Sequence, residues 1–89
     1  MNKNLEVEQL KAGDTVINTG GVSIGQNVQL GGTGLVIKNG PSVTTAGIDA
    51  GNTTIKNVAA GVKDTDAVNK GQLDGAINNI NNKVDQVNN

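Results

Sequence analysis

The chain has 89 residues, 13 of them Gly, with no Phe, Trp, Tyr, Cys or His and a formal net charge of −1. A chain this short is already marginal for enclosing a core. Without aromatic side chains, burial rests on Val, Ile, Leu and Ala, which argues against a self-contained monomeric globule. Arg is absent and the Lys residues are scattered from Lys3 to Lys83, which argues against nucleic acid as a partner. Missing Cys rules out disulfides and thiolate metal sites.

The opening segment carries Leu5, Val7 and Leu10 and fits either an edge strand or a frayed helix turn, with strand preferred. Short β-branched runs then predict strands over 15–18, 21–24, 27–30, 35–38, 42–45 and 53–58, punctuated by Gly20-Gly21, Gly25, Gly31-Gly32, Gly34, Asn39-Gly40-Pro41 and Gly47. Asn39-Gly40 is the strongest of these turn signals, because both residue types tolerate the left-handed backbone. Val22 and Ile24 alternate with Ser23, Val28 and Leu30 with Gln29, and Ile55 with Thr54 and Lys56. Each chain therefore presents a sheet with one apolar face that needs covering.

Three local motifs invite chemistry and are better explained by structure. Gly31-Gly32-Thr33-Gly34 lacks the following Lys and Ser or Thr of a phosphate loop, and reads as a turn between strands. Asn52-Thr53-Thr54 fits a glycosylation acceptor and reads most simply as a turn. Asp64 and Asp66 lack the further acidic ligands of a calcium loop, so helix capping and dipole complementarity account for them. With His and Cys absent and only Ser23 and Ser42 as serines, the remaining option is Lys-assisted Ser chemistry, which needs a preformed pocket that this composition does not supply the side chains to line. The sequence predicts neither enzyme activity nor a cofactor or metal site.

Composition shifts near Gly61, after which the apolar period moves from two toward three and a half. Thr65 is the predicted N-cap of a helix running from Asp66 to the C-terminus, about 36 Å long at 1.5 Å per residue. Gly71 and Gly75 each cost it about 1 kcal/mol relative to Ala. Leu73, Ile77, Ile80, Val84 and Val87 recur at alternating intervals of four and three. That is a heptad seam with Ile77 and Val84 at a and Leu73, Ile80 and Val87 at d. β-Branched residues at both positions favour three or four parallel helices over two. No stretch is long and apolar enough to span a bilayer, so no membrane contact is expected of this segment.

Residues 40–61 read GPSVTTAGIDAGNTTIKNVAAG, and residues 66–73 read DAVNKGQL, joined by VKDT. Together they resemble the junction between β-domain and neck in trimeric autotransporter adhesins, the YadA-like surface fibres of bacteria. The Gly-rich first half resembles the family's GIN-type β-prism connector. The resemblance implies a mostly β N-terminal region forming an interleaved trimeric β-prism, followed by a neck and a parallel trimeric α-helical coiled coil.

On this resemblance residues 1–58 are the connector, 59–73 the neck and 74–89 the start of the stalk. Ile55, Asn57, Val58, Asp66, Ala67, Val68, Asn69, Gln72 and Leu73 form the neck framework, and Ile77, Ile80, Val84 and Val87 the coiled-coil core. The stalks of this family often carry an Asn at d that holds an anion; Ile80 and Val87 stand there instead, so no anion site is expected. The implied partner is a parallel homotrimer, and the implied location is the bacterial surface, anchored in the outer membrane through a C-terminal domain of a longer parent. The function implied is structural, joining a connector to a stalk that presents a distal adhesive head. The parent is a candidate for binding host surface or matrix. A second reading, a module that itself binds host matrix, lacks the aromatic and Arg anchors that dominate interfaces.

Overall fold

A computed structural model describes residues 3–88 of the chain. Backbone contacts divide it into two units, Met1–Thr54 and Ile55–Asn89. The first is a seven-stranded antiparallel sheet: β1 (Gln9–Ala12), β2 (Thr15–Asn18), β3 (Gly21–Ile24), β4 (Val28–Gly31), β5 (Gly34–Ile37), β6 (Ser42–Thr44) and β7 (Gly47–Asp49). The strands pair in chain order as a meander.

Tight turns at Thr19-Gly20, Gly32-Thr33 and Thr45-Ala46 link β2 to β3, β4 to β5 and β6 to β7. Each is followed by a Gly that begins the next strand with φ of 125° (Gly21), 141° (Gly34) or 127° (Gly47). At Gly21 and Gly34 the requirement is also steric. A Cβ there would collide with the carbonyl oxygen of Leu30 or of Val43 on the following strand. On the opposite margin, turns closed by Asn27 N–H to Ile24 O, Gly40 N–H to Ile37 O and Thr53 N–H to Ala50 O recur at one constant interval. The sheet is thus built from a repeated turn–strand–turn–strand unit.

Register gives the sheet two unlike faces. Leu10, Ile17, Val22, Leu30, Leu35, Val43 and Ile48 pair in succession, forming one apolar row across all seven strands. Ala12, Thr15, Ile24, Val28 and Ile37 form a second row on the same side. The other side carries Lys11, Val16, Ser23, Gln29, Val36, Ser42 and Asp49. No residue among those described is buried. A one-layer sheet has nothing to place over its apolar face, and layered packing is what normally makes such a face stable.

The expected strands at 15–18 and 21–24 match β2 and β3. Those expected at 27–30, 35–38 and 42–45 are displaced or shortened by one residue at an end, which is the usual slack of strand boundaries. Three expectations are corrected. The opening segment pairs only over β1, because β2 offers it just four partners, Thr15 to Asn18. Gly47, read as a turn, starts β7, since the preceding Thr45-Ala46 already reverses the chain. Residues 53–58 form no strand.

The second unit begins with an irregular stretch and ends in helix α1 (Lys70–Asn88), 19 residues or about 28 Å long. The helix expected from Asp66 starts one turn later, and Thr65 is not its cap. Both corrections follow from the hydrogen bonds of the segment before it.

Candidate functional site

The helix begins where Asn69 and Gln72 cap each other. Asn69 Oδ1 accepts the Gln72 N–H at 2.9 Å, and Gln72 Oε1 accepts the Asn69 N–H at 3.2 Å. This reciprocal pair is a capping box with Asn in the place of Ser or Thr, and it satisfies backbone donors that a helix start leaves open. Both side chains reach further. Gln72 Nε2 donates to Gly61 O at 2.9 Å while Gly61 N–H donates to Gln72 Oε1 at 2.8 Å. The carboxamide therefore pairs with Gly61 as a neighbouring strand's backbone would. Asn69 Nδ2 donates to Val58 O at 3.0 Å.

Asp66 closes the intervening loop. Its Oδ2 accepts the N–H groups of Lys63 at 2.9 Å and Val62 at 3.0 Å, and its own N–H donates to Lys63 O. These bonds, that from Lys63 foremost and then that from Val62, hold the carboxyl below the usual aspartate value. Asp66 thus stabilises a turn ahead of the helix rather than the helix's first turn, as had been expected of it. With the chain drawn into that turn, Thr65 cannot serve as the cap.

Val58, Gly61, Asn69 and Gln72 are the half-buried residues of this unit, and every other described residue in it is exposed. The sheltered centre is a polar clasp rather than an apolar cluster. From the sequence, Gly61 is legible only as the boundary where composition shifts. A Cβ on it would stand 2.5 Å from the Ala67 carbonyl oxygen, so the clasp closes only around Gly. The available signal was the Gly between two small or branched residues shortly before the helix, where the backbone must pass close.

The other framework residues have different surroundings. Asn57 contributes backbone geometry, with a left-handed φ of 61°. Ile55, Ala67, Val68 and Leu73 are exposed. Along α1, Ile77, Ile80, Val84 and Val87 lie on one stripe, from 45% exposed at Ile77 to 83% at Val87. Lys70 Nζ pairs with Asp74 Oδ2 at 2.8 Å on the helix surface, an exposed (i, i+4) contact of about 0.3–0.5 kcal/mol. Among the described residues no three acidic side chains gather into a metal site, and no helix is long and apolar enough to cross a membrane.

A family described as the coiled stalk of trimeric autotransporter adhesins matches residues 54–89. The chain is 64% identical over 86 residues to trimeric autotransporter adhesin AtaA of Acinetobacter sp. strain Tol 5, an alignment spanning 96% of this chain and 2% of that protein. It is 44% identical over 73 residues to autotransporter adhesin BtaE of Brucella suis biovar 1, covering 79% of this chain and 8% of the relative. A solved structure of the AtaA C-terminal stalk fused to GCN4 adaptors superposes with a TM-score of 0.90 at 63% identity, covering 97% of this chain and 25% of that one. The chain thus corresponds to a small part of far longer proteins.

Proposed function

The chain belongs to the trimeric autotransporter adhesins, a structural and non-enzymatic class, and we propose that it is a connector, neck and stalk start within an adhesin fibre. In this reading residues 1–58 form a GIN-type prism wall, 59–73 the neck and 74–89 the first part of a parallel three-stranded coiled coil. Three copies turn their apolar sheet faces inward, each covering the other two. The stripes of three helices meet as the heptad seam.

The observation that carries this reading is that both apolar surfaces of the chain, the row from Leu10 to Ile48 and the stripe from Leu73 to Val87, are uncovered in the same molecule. One self-association satisfies both, and the seam's β-branched a and d positions favour three copies over two. The clasp then has a mechanical role. By fixing the residue at which α1 begins, Asn69, Gln72 and Asp66 set the rotational phase in which Ile77 and Ile80 reach the axis. The segment holds chains in register and spaces a distal adhesive head from the bacterial surface, with anchoring in the outer membrane supplied by another domain of the parent.

Light scattering on the purified chain tests this. A mass of three chains is expected, and a folded monomer would refute the proposal. The Ile77→Asn, Ile80→Asn double variant then separates the contributions of stalk and sheet.

A further inference from the structure

Asn39-Gly40, in the turn between β5 and β6, carries a reactivity that its part in the turn does not use. The carboxamide of an Asn can be attacked by the backbone nitrogen of the next residue, and the approach is least obstructed when that residue has no side chain. Of the Asn residues in the chain, only Asn39 is followed by Gly. Asn52 and Asn57 share its left-handed backbone, with φ of 62° and 61° beside 61° at Asn39. They precede Thr53 and Val58, however, whose branched side chains crowd the nitrogen. Asn78, Asn79, Asn81 and Asn82 lie within α1, where the helix fixes the backbone. The Asn39 side chain is exposed, and no hydrogen bond holds it among the described residues. By contrast, Asn18 Oδ1 accepts the Gly20 N–H at 2.8 Å, and both ends of the Asn69 carboxamide are bound in the clasp.

The closed turn opposes the reaction. Gly40 N–H donates to Ile37 O at 3.0 Å, which engages the attacking nitrogen, and the left-handed backbone at Asn39 fixes where that nitrogen lies relative to the carboxamide. The restraint is slight. Besides that bond, the loop is tied by Ile37 N–H to Pro41 O at 3.3 Å and by Lys38 N–H to Asn27 O at 2.7 Å. Pro41 has no N–H to add. A hairpin end held by a few hydrogen bonds opens at much lower free energy than the sheet unfolds.

We propose that Asn39 is a self-modification site, converted to aspartate and isoaspartate whenever the β5–β6 turn opens. In the open turn the Gly40 nitrogen gives its proton to solvent and bonds to Asn39 Cγ. The bond from Cγ to Nδ2 breaks, and Nδ2 leaves as ammonia with a proton taken from water. The five-membered imide that remains adds one water at either carbonyl, so water is the only co-reactant. Opening on one side gives aspartate, and on the other it routes the main chain through the side-chain carbon as isoaspartate. The two products differ in what the turn can do next. Aspartate tolerates the left-handed conformation, so the turn closes again with one more negative charge. Isoaspartate lengthens the main chain by one carbon, and the bond from Gly40 N–H to Ile37 O cannot re-form in the same geometry. The hairpin it loosens pairs Leu35 with Val43 in the apolar row, so a change at an exposed turn reaches the face that the chain leaves uncovered.

The full-length chain is held at mildly alkaline pH, folded and in concentrated urea, and its peptides are followed by mass spectrometry with fragmentation that separates isoaspartate from aspartate. Asn39 is expected to gain the mass of an amide exchanged for a carboxylate before any other Asn, about tenfold more slowly in the folded chain than in urea. The Asn39→Gly variant, which keeps the left-handed backbone, should show no such gain in that peptide. Isomerisation at Asp74-Gly75 leaves the mass unchanged and is told apart by that. Earlier modification of Asn78, Asn79, Asn81 or Asn82 overturns the site, as does a folded chain that stays unmodified. Equal rates in the folded and denatured chain overturn the opening step. Chains carrying isoaspartate should melt below the Asn39→Asp variant, and identical melting would overturn the effect on the sheet.

Discussion

The sheet and the clasp ahead of α1 solve the same problem, too little apolar material for a core, in opposite ways. In the sheet, backbone pairing and repeated turns satisfy the main chain of the inner strands, while no second layer of the unit covers the apolar face. In the clasp, the side chains of Asp66, Asn69 and Gln72 bind backbone groups of their own chain. The difference teaches where assembly energy and assembly geometry reside. Large apolar area drives association without specifying rotation, whereas directional hydrogen bonds specify conformation while each adds about 0.5–1.5 kcal/mol.

The sharpest way to break this contrast is to place a charge on the sheet's apolar row. Leu30→Asp should abolish the trimer in light scattering, since each copy loses about 1.5–3 kcal/mol of burial and faces the larger cost of desolvating a carboxylate. Ser23→Asp, on the other side of the same sheet, should leave the mass unchanged and alter stability by no more than about 0.5 kcal/mol. Equal effects from the two would remove the distinction between faces.

Breaking the clasp should have an intermediate effect and a different signature. Gly61→Ala forces the backbone away from the Ala67 carbonyl, and Gln72→Ala removes three hydrogen bonds. Each should cost about 2–3 kcal/mol in thermal or denaturant unfolding, with the trimer retained at high concentration. Ile77→Asn, Ile80→Asn should weaken association less than Leu30→Asp, because the seam is shorter than the sheet row. A reversal of that order in concentration-dependent melting would make the stalk the principal trimer element.

Smaller changes sharpen the account of the neck. Asn69→Ala should cost about 1 kcal/mol and lower the helical circular dichroism signal through fraying of the first turn. The Asp66 contribution should depend on acidity. Its carboxyl is held below the ordinary aspartate value in the folded chain by the Lys63 and Val62 N–H groups, so the stabilisation is fully present above that ordinary value and lost as pH falls through the lower, folded one. Asp66→Asn should flatten the acid limb of the stability profile below about pH 4 and lower stability modestly at pH 7.

Much of the sheet was legible because its signals are local. Turn residues at Gly20, Gly32 and Asn39-Gly40 and the alternation at Val22-Ser23-Ile24 need only neighbouring residues to act. The segment 53–58 misled because its β propensity is real while the chain's own sheet ends at β7 and pairs no strand with it. Asp66, Asn69 and Gln72 were legible as a motif, but their roles were not. Asn69 and Gln72 each bond to a residue earlier than the helix they cap, and Asp66 bonds to Val62 and Lys63 instead of capping. Gly61 was legible only as the boundary where composition shifts, because a Gly required by close backbone approach looks the same in sequence as one in an ordinary turn.

The sequence by itself determined that this chain leaves apolar faces its own residues cannot enclose, through the lack of aromatic residues, the one-sided strands and the seam from Leu73 to Val87. These are matters of composition and period, which hold before any residue is placed in space. Only the tertiary structure decided that seven strands pair in order with one unbroken apolar row, and that α1 starts at Lys70 rather than Asp66. Those outcomes turn on which backbone and side-chain groups, close in sequence, find one another as partners. That choice depends on distances and directions that a list of residues does not contain.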